Sequence, residues 1–91
     1  MTIFTQLEKT EKELRIRNYS PKTIKSYLHG VREYLGYKKS EFQTYDEENI
    51  KNFLLSLEGR NISAQTRNMF LNAIKFYYCG VLNIVSKIEI R

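Results

Sequence analysis

Hydrophobic residues recur along this chain with the period of a helix, and polar stretches separate the runs. Ile24, Tyr27, Leu28, Val31, Tyr34 and Leu35 stand at i, i+3, i+4, i+7, i+10 and i+11, a spacing that lines one side of a 3.6-residue turn. Ser20 ahead of them offers a side-chain oxygen to the unpaired amides of a first turn, and Pro21 follows where its missing N–H costs nothing. Asn18 suits the end of a preceding helix. The pattern predicts a helix from Ser20 to about Gly36.

The rest of the chain repeats the theme. Between about Thr2 and Asn18, Phe4, Leu7 and Leu14 share a face, while Lys9, Lys12, Glu13 and Arg17 point elsewhere. Thr5 with Glu8 has capping-box spacing, and Thr2 is the other candidate cap. The periodicity lapses from Tyr37 to Gln43. Thr44 with Glu47 then reads as a capping box, backed by Asp46 and Glu48 at the positive end of the helix dipole, before the stripe of Ile50, Phe53, Leu54 and Leu57. Gly59 is placed to end this third helix in the left-handed conformation. Ser63 opens a fourth, whose inner face holds Met69, Phe70, Ala73, Ile74 and Tyr77 and which ends near Gly80. Leu71 and Tyr78 fall off that face and meet either the first helix or a partner; packing within the fold is favoured. Residues 81–91 alternate apolar with polar, as a final helical turn, an extended tail or the start of a linker would. The expected fold is all-α, a compact bundle of four, or five, short amphipathic helices.

Ninety-one residues make one small domain with a single modest core. One Pro and four Gly are too few for a many-turned β architecture. A lone cysteine, Cys79, excludes an internal disulfide and is expected to pack as a small hydrophobe. No apolar run has membrane-spanning length and the start lacks the order of a signal peptide, so no membrane partner and a cytoplasmic location are expected. His29, the sole histidine, builds no metal site or Cys–His dyad with Cys79, and no cofactor is expected. The acids Asp46, Glu47 and Glu48 complement a helix dipole more readily than they form a catalytic cluster. The tyrosines read as core and rim aromatics, and no constellation of nucleophile, base and oxyanion donor is present.

Charge sharpens the picture, because the net +5 is not spread evenly. Lys12 to Lys39 carries eight bases against two acids, a net of +6, and Arg60 to Gly80 carries three bases and no acid. Ser40 to Glu58 has five acids against Lys51, a net of −4. On the second helix Lys22, Ser26 and His29 form a strip opposite the apolar face, with Lys25 and Arg32 beside it. On the fourth, Gln65, Asn68, Asn72 and Lys75 recur opposite Phe70, Ala73 and Tyr77, with Arg67 at the margin. Such strips suit duplex DNA, since cations neutralise phosphates while amides and Arg present donor and acceptor pairs to base edges in the major groove. Ser20, Ser63 and Thr66 at helix starts add a seat for phosphate. The bland alternative is that these are the solvated faces of ordinary helices.

The string from Ser20 to Tyr27, then Leu35, the Thr44 cap with Ile50 and Phe53-Leu54, then Ile62 to Asn68, Leu71, Ala73-Ile74 and Phe76-Tyr77 resembles the core-binding, SAM-like N-terminal domain of tyrosine recombinases and phage integrases. The likeness runs from about Leu7 to Asn83. It implies a four-to-five-helix unit that forms half of a clamp round double-stranded DNA, together with other recombinase protomers and a C-terminal catalytic domain. The DNA-facing residues it implies are Lys22, Thr23, Lys25, Ser26, His29 and Arg32 on the second helix, and Arg60, Ser63, Gln65, Thr66, Arg67, Asn68 and Lys75 at or on the fourth. Where the family continues with Asn-Pro into a linker, Asn83 here precedes Ile84. The expected division is a DNA-binding unit over 1–83 and a tail or linker over 84–91, with no catalysis by this polypeptide itself. A small helical protein-interaction domain is the alternative, using the acidic third helix or Leu71 and Tyr78.

Overall fold

The computed structural model describes residues 2–90. Four α-helices form, α1 (Ile3–Ile16), α2 (Pro21–Lys38), α3 (Glu47–Gly59) and α4 (Ala64–Lys75), and α4 runs on without a break into a π-helical segment, Phe76–Val81. Among the described residues there is no strand. Each α-helix starts on a side-chain cap. Thr2, rather than Thr5, caps α1, its Oγ1 accepting from Thr5 N at 3.2 Å. Ser20 and Ser63 cap α2 and α4 as expected, accepting from Thr23 N and Thr66 N, each at 3.2 Å.

Two expectations at α3 are corrected. The cap is Asp46, whose Oδ1 accepts from Asn49 N at 3.1 Å. Thr44 belongs instead to the loop before it: its N–H donates to the Glu41 carbonyl at 3.0 Å and its own carbonyl accepts from the Tyr78 hydroxyl at 3.3 Å. At the other end Gly59 stays helical, and the left-handed residue is Asn61, at φ 61°. Asn18 ends α1 in the same way, also at φ 61°. Asn reaches this region at low cost because its short side chain bonds locally.

The first helix turns a different face inward from the one its apolar residues mark. Phe4 is 70% exposed, whereas Gln6 and Thr10 are completely buried beside Leu14. Hydrogen bonds compensate part of the burial of these polar groups, while Gln6 Nε2 is buried without a partner among the described residues. Gln6 Oε1 accepts the Tyr77 hydroxyl at 2.8 Å, and the Thr10 hydroxyl donates to the Gln6 carbonyl at 2.8 Å.

Helices α2 and α4 are the heart of the bundle and run antiparallel. Ile24 and Tyr27, early in α2, pack on Phe76 just past the end of α4, while Gly30 in mid-α2 abuts Phe70 and Ala73. A Cβ on Gly30 would lie 2.8 Å from Ala73 Cβ, so the glycine is what lets the two backbones approach. Phe53 of α3 closes the core between them, 5.3 Å from the Tyr34 ring and 6.2 Å from Phe70. Leu71 and Tyr78 are both buried inside the fold. The Tyr78 hydroxyl donates to the Phe42 carbonyl at 3.1 Å, in the loop between α2 and α3. Residues 82–90 form no regular element, yet Ile88 and Ile90 are buried in the main core.

Candidate nucleic-acid interface

Both α2 and α4 spend one side on the core and leave the other wet. On α2, Lys22, Lys25, His29 and Arg32 are exposed, and Thr23 and Ser26 are half-buried. On α4, Gln65, Asn68 and Asn72 are exposed, and Thr66, Arg67 and Lys75 are half-buried; Arg60 and Ser63 stand exposed in the turn before it. Because the helices are antiparallel and turn their apolar sides to one core, the positions opposite that core fall on the same side of the pair. Lys22, Ser26 and His29 therefore share a surface with Gln65, Asn68 and Asn72. His29 spans the seam, its ring 5.5 Å from that of Phe70.

The centre of this surface is amide, hydroxyl and imidazole, with Lys22 at one end of the α2 strip and the acid Glu33 following Ser26 and His29 along it, and the other cations stand at its margins. Lys25 and Arg32 occupy the shoulder of α2 towards α1, where they share a shallow groove with Glu8 and Glu11. Arg67 occupies the shoulder of α4 towards α3, in a groove with Lys51 and Glu58. Its guanidinium donates from Nη1 to the Ile62 carbonyl at 3.0 Å, which holds the side chain against the turn into α4. Lys75, also half-buried, offsets part of the burial that pushes the Cys79 thiol up.

Which cations remain free is decided by the ion pairs. Arg15 lies 2.8 Å from Glu11, and Arg17 3.6 Å from Glu13. Lys22, Lys25, Arg32, Arg60, Arg67 and Lys75 form no ion pair among the described residues. Arg17 is engaged three ways, since its Nη2 also donates to the Gly80 carbonyl at 3.3 Å and its guanidinium sits 5.2 Å from the centre of the Phe76 ring. Nothing local foretells the last two, because Gly80 stands 63 residues from Arg17. The hydroxyls at the helix starts are likewise turned inward on one another: Ser20 bonds Thr23 at 3.0 Å and Ser63 bonds Thr66 at 3.1 Å. Their phosphate-seating capacity is smaller than the residue types alone imply.

The buried tyrosines are structural. Burial pushes the hydroxyls of Tyr34, Tyr77 and Tyr78 well above the usual range, the opposite of what a nucleophile needs. No helix among the described residues is long and apolar enough to cross a membrane. Compared with known families, residues 7–87 match the model described as phage integrase, N-terminal SAM-like domain. No curated protein and no solved structure matches the chain.

Proposed function

Since this chain belongs to the phage integrase N-terminal SAM-like domain family, we propose that it is the DNA-binding, core-binding module of a tyrosine recombinase, seating α2 and α4 against the major groove. The observation that carries the reading is the arrangement on the α2–α4 surface: side-chain amides in the middle and unpaired cations on both shoulders. Phosphates border a groove and base edges line its floor, so a reader needs its charge outside and its amides inside. Lys22, Lys25 and Arg32 then neutralise phosphates on one side, and Arg60, Arg67 and Lys75 on the other. Gln65, Asn68 and Ser26 face the bases, with His29 at the seam. Thr23, Ser63 and Thr66 chiefly fix the helix starts that aim these groups.

Strand cleavage and joining fall to a catalytic domain, with which this module would close round the duplex beside further protomers. Fluorescence anisotropy of a labelled duplex tests the reading. Affinity should be weak for a unit this small and should fall steeply with salt, with a log–log slope of about −4 to −5 if some five phosphates are neutralised. Binding that is absent at low salt, or flat as salt rises, would overturn the assignment.

A further inference from the structure

Between α1 and α2 lies a shallow groove that the packing of the chain leaves unfilled. Leu7 and Leu28, both half-buried, form its apolar floor, and Phe4 stands on its rim. A phenyl ring 70% exposed beside an apolar floor leaves surface in water that an occupant would cover. The walls have opposite sign: α1 contributes Glu8 and Glu11, and α2 contributes Lys25 and Arg32. They do not satisfy each other. Glu11 pairs with Arg15 on its own helix, while Glu8, Lys25 and Arg32 form no ion pair among the described residues.

An occupant that fits must carry an apolar knob with acid on one flank and base on the other. That is a description of this same surface. A twofold axis running along the groove brings the patch against itself with its walls exchanged, so acid meets base on both sides of the axis. We propose that the α1–α2 groove is a self-association face, through which two copies of this chain form a weak isologous dimer in the absence of DNA. Phe4 of each copy covers Leu7 and Leu28 of the other, and Glu8 of each meets Lys25 and Arg32 of the other. The +5 on each chain opposes the pairing and keeps it weak. Self-association stands without the nucleic-acid reading. One consequence rests on that reading: Lys25 and Arg32 serve both faces, so duplex and dimer compete, and a dimer holds part of the DNA surface covered.

Sedimentation equilibrium at low salt without DNA is the test. The average mass should climb from that of one chain towards that of two between about 10 µM and about 1 mM, the range of a small interface. Glu8→Lys and Lys25→Glu should each stay monomeric, because each places like charges across the axis. Mixed one to one they should associate better than either alone, since the substituted position 8 of one then meets the substituted position 25 of the other and the unchanged Glu8 meets Lys25 and Arg32, leaving one like-charged contact, at Arg32. Phe4→Ser, which adds no charge to either wall, should also stay monomeric while keeping its helical circular dichroism. A wild-type chain that is monomeric throughout overturns the proposal, as does a dimer indifferent to all three substitutions. If the dimer forms as described but survives a duplex that the chain binds, the competition is overturned and the self-association upheld.

Discussion

Alanine at Lys22, Lys25 and Arg32 together should weaken duplex binding about 100-fold near physiological salt and make the log–log salt slope shallower by about 3. The three side chains are exposed and unpaired among the described residues, so their removal breaks no internal contact. All three sit in α2, where alanine is the best helix former. Thermal stability should therefore shift by no more than a surface change does, about 0.5 kcal/mol per site. The contrast that gives the result meaning is an equal loss of charge elsewhere. Lys9, Lys12 and Lys39 are also exposed, but lie on α1 and in the loop between α2 and α3, off the α2–α4 surface. Their replacement by alanine should lower affinity only through net charge, by a few-fold. Anisotropy titrations of both triples across a salt series measure the difference.

The largest effect on stability should come from Gly30. A glycine inside a helix ordinarily gains up to about 1 kcal/mol on replacement by alanine. At Gly30 that gain meets an obstacle, since the new Cβ would stand 2.8 Å from Ala73 Cβ, 3.3 Å from a Phe70 ring carbon and 3.4 Å from the Phe70 backbone. Gly30→Ala should come out near neutral or modestly destabilising. Gly30→Leu cannot be absorbed without parting α2 from α4, and should cost about 3 kcal/mol or more, or roughly 15 °C in Tm for a domain of this size. Gly36, two turns on, has nothing within 4 Å of a built Cβ and is helical, so Gly36→Ala should stabilise by about 0.5–1 kcal/mol. Pairing Gly30→Ala with Ala73→Gly should restore more stability than the two single changes sum to, because each relieves the other. Thermal and urea unfolding decide both points.

Most of the fold could be read from residue order because each helix announces itself locally. Ser20-Pro21 and Ser63 are caps with a period-3.6 stripe directly behind them, and the helices begin at Pro21 and Ala64. What could not be read depends on partners distant in sequence. Gln6 and Thr10 look like surface residues until Tyr77, 71 positions from Gln6, supplies a hydrogen bond. Phe4 looks like core for the converse reason: nothing in its neighbourhood says that the interior is already filled. The error at Thr44 is of another kind, since Thr44-x-x-Glu47 and Asp46 are competing caps two residues apart, and the Tyr78 contact with the Thr44 carbonyl decides between them.

The candidate surface was legible to a similar depth. Helical spacing puts Lys22, Ser26 and His29 on one strip and Gln65, Asn68 and Asn72 on another. That the two strips share a side follows only from the antiparallel crossing at Gly30. Charge counting overstates what is available, because Arg15 and Arg17 are tied to carboxylates of α1. It also hides the sidedness of the remainder, with Lys25 and Arg32 on the shoulder towards α1 and Arg67 on the shoulder towards α3.

A titration of the isotope-labelled chain with a short duplex, followed residue by residue through backbone amide resonances, asks most directly where DNA sits. Resonances at Lys22, Lys25, His29, Gln65, Asn68 and Asn72 should move together and saturate at one affinity, while those of α3 from Glu47 to Leu55 stay where they are. Shifts centred on α3, or on α2 with α4 silent, would contradict a single surface shared by the two antiparallel helices.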